Sequence, residues 1–255
     1  MSAGTNKRGR RTLRSVLAAA TLLTAMGGPA FAAGDISGLW FVERVGAPKN
    51  LPLTKEGQGR IDRDKARVAA GMMKNERSTR CLPTAMPIMM SNEFGLDILQ
   101  VNGQIAMLSE NNIVPRIVYT DGRKHPEKPD PSWNGHAIGW WEGETLVLDT
   151  VGFNDRFAVY FGGVRRTPTL HVVERLHLED GGKVLINEMT VEDPATFSKP
   201  VTQRYRYNRL PPESEYLEYV CEVELESLQQ YEAWNAAHPE PAETPASPTI
   251  AKVAP

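Results

Sequence analysis

From residue 94 onward the hydrophobic period of the chain is two. Phe94, Leu96, Ile98 and Gln100 alternate with Gly95, Asp97, Leu99 and Val101, the pattern of a strand that buries one face. Asn102-Gly103 follows, a pair that tolerates positive φ and so predicts a two-residue hairpin. With that turn, Leu96 and Ile98 share a face with Ile105, Met107 and Ser109. Residues 113–120 predict a third strand, with Pro115 marking an edge or bulge. Thr120 to Arg123 reads as a turn and 124–134 as a polar, Pro-rich loop. His136 to Glu142 and Thr145 to Phe153 predict a hairpin around Gly143-Glu144. Further strands are expected at 168–178, 183–193, 200–209 and 216–223, and a first one at 35–42. The fold class expected is all-β: a single antiparallel, lipocalin-like meander β-barrel of about ten strands, closed because closure removes the sheet edges.

Ahead of the strands the period is helical. Thr54 is an N-cap candidate, Glu56 suits the positive helix start, and Ile61, Val68, Ala69 and Met72 fall on one face of a helix over 54–73. Its other face, with Arg60, Arg63, Asp64 and Arg67, reads as solvated surface. One such helix is expected on the outside of the barrel. Residues 226–255 read as a short helix followed by a disordered Pro/Ala-rich tail, leaving 33–225 for the barrel domain.

Residues 1–32 stand apart. Lys7, Arg8, Arg10, Arg11 and Arg14 precede an apolar run from Val16 to Met26, and Ala30-Phe31-Ala32 offers a small-x-small cleavage site. This predicts a signal peptide and a periplasmic or secreted protein, by the general or the twin-arginine route. Elsewhere no stretch is apolar enough for a membrane span. The net charge of −2 provides no field that would draw nucleic acid. In an oxidising compartment Cys81 and Cys221 read first as a disulfide, with two free thiols as the alternative. Closing so long a loop contributes about 4–5 kcal/mol by chain entropy.

Candidate chemistry rests on polar residues among apolar ones. Glu174 and Asn187 fall on the face carrying Leu170, Val172, Leu176, Leu185 and Met189. Glu174 is either a structural partner of an arginine such as Arg116 or a ligand-binding or general-base carboxylate. In the 136–153 hairpin, His136, Ile138, Trp140 and Glu142 should face Val151, Asp149, Val147 and Thr145. That makes His136 and Asp149 diagonal neighbours, a candidate acid/base pair or a half-buried His held by an Asp. Either this face or that of Trp141, Leu146, Leu148 and Thr150 lines the barrel. Catalytic candidates are therefore His136, Asp149 and Glu174. Ligand-binding candidates are Arg116, Tyr119, Trp140, Trp141, Asn187, Tyr205 and Tyr207. His125 reads as surface. His171 and His177 are about 20 Å apart on one strand, too far to chelate one ion. With no His-x-His, Cys-x-x-Cys, phosphate loop or nucleophile elbow, no metal or cofactor is expected.

Arg116 to Arg123, His125-Pro126, Trp133, Gly135-His136, Trp141 to Val147 and Asp149-Thr150 form a block, and through it the chain resembles a family of exported bacterial proteins of unknown function. Cys81-Leu82-Pro83, Leu170 to Arg175, Asp193-Pro194 and Glu218 to Cys221 extend the resemblance over most of 35–225. Where that family carries Pro-His-Ser, this chain has Arg165-Arg166-Thr167-Pro168. Gly38-Leu39-Trp40 is similar to the start of lipocalin-type barrels, where a Trp closes the base. Two functions are expected: a binding module for an apolar or aromatic small molecule in the cavity, or a cofactor-independent isomerase, lyase or hydratase using acid/base residues there. A structural envelope protein is a third reading.

Overall fold

The computed structural model describes Met1 and residues 34–239, apart from 47, 72–79, 112–113, 157–163 and 224. The expected signal peptide and disordered tail lie outside the described residues. Nine strands run in chain order around a closed barrel. They are β1 (Gly38–Val42), β2 (Leu96–Val101), β3 (Gln104–Ser109), β4 (Arg116–Tyr119), β5 (His136–Glu142), β6 (Thr145–Val151), β7 (His171–Glu179), β8 (Val184–Glu192) and β9 (Val201–Arg209). The ring closes where Trp40 and Val42 of β1 face Arg209 and Tyr207 of β9.

The all-β barrel is therefore present, with two corrections. The strands number nine, and β4 and β5 are parallel, Val118 facing Ala137. A parallel pair cannot be joined by a hairpin; the chain must return to the end where the first strand began. Residues 120–135 make that return across the outside of the barrel, so the expected turn and loop together form a crossover connection. The segment 216–223, expected as a strand, forms none. β1 already occupies the free edge of β9, so the ladder has no place for it.

Register follows the alternation. Val101 faces Gln104 across Asn102-Gly103, and Gly103 has φ +78°. Leu96, Ile98, Ile105 and Met107 are all buried, as are Val172, Leu176, Leu185 and Met189. One end of the barrel is closed by Trp40, whose ring lies 4.1 Å from the Arg209 guanidinium carbon and whose Nε1 donates to Ile36 O at 3.0 Å. Met86, Met89 and Met90 belong to no strand yet join the same core. They reach it through the open end and plug it, and the Tyr207 hydroxyl donates to Met90 O. Flexible, polarizable Met side chains suit such irregular space.

Helix α1 (Lys55–Ala69) is capped by Thr54, whose Oγ1 accepts from Gly57 N at 2.9 Å. A Cβ on Gly57 would lie 2.3 Å from Thr196 O, so the helix rests backbone to backbone on the loop after β8. Arg60, expected on the solvated face, is buried and donates to Glu56 and Thr196. A second helix, α2 (Leu225–Ala237), packs on the end of α1. Trp234 Nε1 donates to Ala70 O at 3.2 Å, and Arg67 reaches Asn235 at 2.8 Å. The Sγ atoms of Cys81 and Cys221 lie 2.12 Å apart, a bond across 140 residues of sequence.

Candidate functional site

The β5–β6 register is the expected one, with His136 facing Val151 and Trp140 facing Val147. Its faces are now assigned. Ala137, Leu146, Leu148 and Thr150 are buried in the core, and Trp141 packs against it. His136, Asp149 and Trp140 are on the outer face. Trp140 is 39% exposed and donates to Glu142 at 3.0 Å, so it lines no cavity.

The lumen holds the other polar candidates. Arg116 Nη2 pairs with Glu174 and donates to Thr150 Oγ1 at 3.0 Å. Asn187 Nδ2 donates to the second Glu174 oxygen at 2.9 Å. Both charges are fully buried, so each depends on the other for its solvation. Glu174 is thus the arginine partner, and it shares no pocket with His136 or Asp149. Arg116 Nε and Asn187 Oδ1 are buried with no hydrogen-bond partner among the described residues. Tyr205 and Tyr207 line the same interior, their hydroxyls pushed well up by burial and then by the Glu174 charge.

On the outer face the expected His136–Asp149 bond is replaced by a longer chain. His136 Nδ1 lies 2.8 Å from His125 Nδ1. His125 Nε2 lies 3.2 Å from Asp149 Oδ1, and His171 Nε2 lies 2.9 Å from the same oxygen. His171 Nδ1 is 3.5 Å from Glu192. His125 comes from the crossover, His136 from β5, Asp149 from β6 and His171 from β7. The crossover drops His125 between the two groups that were expected to touch.

A carboxylate only accepts, so His125 and His171 both carry a proton on Nε2. When His125 and His136 are neutral, His125 Nδ1 accepts from His136 Nδ1–H. That leaves His136 Nε2 unprotonated, and it has no protein partner among the described residues. Burial, then the neighbouring His125 and Arg123, lowers the His136 pKa below 6.5. Burial alone would raise the Asp149 carboxyl, but hydrogen bonds from His125 and His171 outweigh it and hold the group well below its ordinary range. Burial alone would lower His171; Asp149 and Glu192 reverse this and raise it above 6.5.

His136 also forms part of a groove of about 660 Å³ between the crossover and β4. Its walls are Pro115, Ile117, Tyr119, Pro129, Pro131 and Trp133, with Asp130 and Arg156 as charged groups. Tyr119 lies tilted against His136 with ring centroids 5.4 Å apart, and the Arg123 guanidinium carbon lies 3.9 Å from the Tyr119 ring centroid. Local chemistry sets this wall. Asn134 Nδ2 donates to Val114 O and Pro115 O, and its Oδ1 accepts from Met86 N. Arg166, from the Arg165–Pro168 segment, holds Trp133 O and Met86 O at 2.7 and 2.6 Å. The crossover enters β5 at Gly135 (φ +72°), where a Cβ would meet Thr150 Cγ2 at 2.7 Å and Val151 O at 2.8 Å.

Of the sequence candidates, the structure gathers His136 and Tyr119 at the groove, with Asp149 behind them. Arg116, Glu174, Asn187, Tyr205 and Tyr207 are in the lumen, with Trp141 at its wall. His125, His171 and Trp133 are additions. Among the described residues no three His, Cys, Asp or Glu side chains are placed to hold a metal ion. No protein-family model matches the chain, and no curated protein matches its sequence.

Proposed function

We propose that this chain is an exported β-barrel that binds an apolar or aromatic small molecule in the groove under the crossover. There it catalyses cofactor-independent proton transfer, as an isomerase, lyase or hydratase does. The observation that carries this reading is the open Nε2 of His136 beside an apolar, aromatic groove, with its Nδ1 committed to His125, whose Nε2 in turn meets Asp149. His136 takes a substrate proton on Nε2 as its Nδ1 proton shifts to His125 Nδ1. The positive charge then rests on His125, directly against the Asp149 carboxylate. Asp149 and His171 position and stabilise; only His136 meets the substrate. Returning the proton to another atom of the substrate completes an isomerisation, and returning it to a leaving group completes an elimination. Export is supported by the N-terminal charge and apolar pattern and by a cysteine pair at bonding distance, a feature of oxidising compartments. Membership in the exported family it resembles is part of the same proposal.

A second reading puts the ligand in the lumen, as a purely binding barrel. It is favoured by the unpartnered Arg116 Nε and Asn187 Oδ1, an inward donor and acceptor that a small polar group or a water would satisfy. The experiment is native mass spectrometry of protein purified from its own host, followed by NMR shift mapping of the retained molecule. The groove reading expects shifts at Tyr119, Trp133 and His136 and loss of the ligand in Trp133→Ala. Shifts confined to Tyr205 and Tyr207 would establish the lumen reading instead.

A further inference from the structure

The segment 215–223 has the composition of a strand and the environment of none. Tyr216, Leu217, Tyr219, Val220 and Val223 are 42–66% exposed. Leu217 N donates to Glu110 at 3.0 Å, and the other backbone groups of 216–220 make no hydrogen bond among the described residues. Exposed backbone of this kind, carrying β-favouring side chains, is the template that strand addition uses. The segment is held in place without a ladder. Cys221 ties it to Cys81, and Tyr219 packs on Phe94 with centroids 6.1 Å apart.

Its charge selects the occupant. Glu213, Glu215, Glu218 and Glu222 are all exposed, and residues 211–238 contain no Lys or Arg. Asp97 and Glu110 add to this field at Tyr216, whose hydroxyl is raised by burial and then by those two carboxylates. A second copy would bring its own glutamates against these and repel.

We propose that residues 215–223 are an acidic docking strand for an extended segment of a partner polypeptide in which lysine or arginine alternates with apolar residues. The partner's backbone pairs with the open backbone groups of 216–220, its apolar side chains lie on the face of Leu217, and its cations lie on the opposite face, against Glu218 and Glu222. This surface is independent of the groove and of the chemistry assigned to His136.

The test uses the full chain, disulfide intact, and a short blocked peptide of alternating lysine and valine. In the free protein, the amides of 216 and 218–220 exchange with solvent nearly as fast as an unfolded chain. With the peptide they become protected, and the affinity falls as salt rises. The triple variant Glu215→Lys/Glu218→Lys/Glu222→Lys melts as the parent does but binds the peptide about tenfold more weakly, through loss of charge complementarity. A glutamate–valine peptide that binds equally well would overturn the proposal. So would an absence of protection at 216–220, or amides already protected in the free chain. Concentration-dependent dimerisation that protects the same amides would assign the surface to a second copy and overturn the proposed partner.

Discussion

His136 gives one ring nitrogen to His125 and keeps the other for the groove, and this division sets its pH behaviour. Its pKa is lowered in the fold, so the free base persists below pH 6.5. Any activity that depends on it therefore extends into mildly acidic solution, which a kcat/KM–pH profile reads directly. His136→Gln should lower kcat about 10²–10⁴-fold with the ligand still retained. His171 runs the other way. Its folded pKa is raised, so its stabilising contribution is complete below 6.5 and is lost as pH rises through the folded value. Denaturant melts of His171→Gln should thus show a larger loss of stability at pH 5.5 than at pH 8.5. In the lumen, Glu174→Ala leaves Arg116 as an unpaired buried cation, and should cost about 3–5 kcal/mol. At this scale the sequence was informative about facing and less so about contact. Glu174 and Asn187 could be placed inward from the alternation of β7 and β8. The His136–Asp149 diagonal was also in register, but nothing local indicated that His125 would enter from the crossover. His171 reaches Asp149 only through the β6–β7 pairing, which a long connection separates in sequence.

The crossover over 120–135 is the element that creates the groove, and the parallel β4–β5 pair is why it exists. It bonds along the end of β6, Ser132 N to Gly152 O at 3.1 Å and Asn154 N to Ser132 O at 2.9 Å. Gly135 is its entry point, with positive φ and three atoms inside 3 Å of any added Cβ. Gly135→Ala should destabilise by about 1–3 kcal/mol through strain and overpacking, seen in the denaturation midpoint. It should also displace His136, seen in the His136 ring shifts. Hairpins with local signals, such as Asn102-Gly103 and Gly143-Glu144, were readable from the sequence. Strand direction across β4 and β5 was not, because a 16-residue connection fits a loop or a crossover equally well. For the same reason 216–223 read as a tenth strand: its composition is right, but pairing depends on which edge remains free.

At the largest scale, the described residues from 34 onward form a barrel closed at one end by Trp40 under Arg209 and filled at the other by a methionine plug. The Cys81–Cys221 bond ties the segment leading to that plug to the acidic strap. Reduction should remove up to about 5 kcal/mol of stability by the chain-entropy estimate. Unfolding with and without reductant measures it. The barrel was legible in the sequence because alternation and closure are both dictated by burial. The proposed site was not, because its polar groups sit outside, on a strip built from four separate elements.

The most direct test is a long-range ¹H–¹⁵N spectrum of the imidazole rings across a pH titration. In this arrangement neutral His136 carries its proton on Nδ1, leaves Nε2 unprotonated and titrates below 6.5, and its signal changes in His125→Ala. A His136 that carries its proton on Nε2, or that titrates at 6.5 regardless of His125, would contradict it.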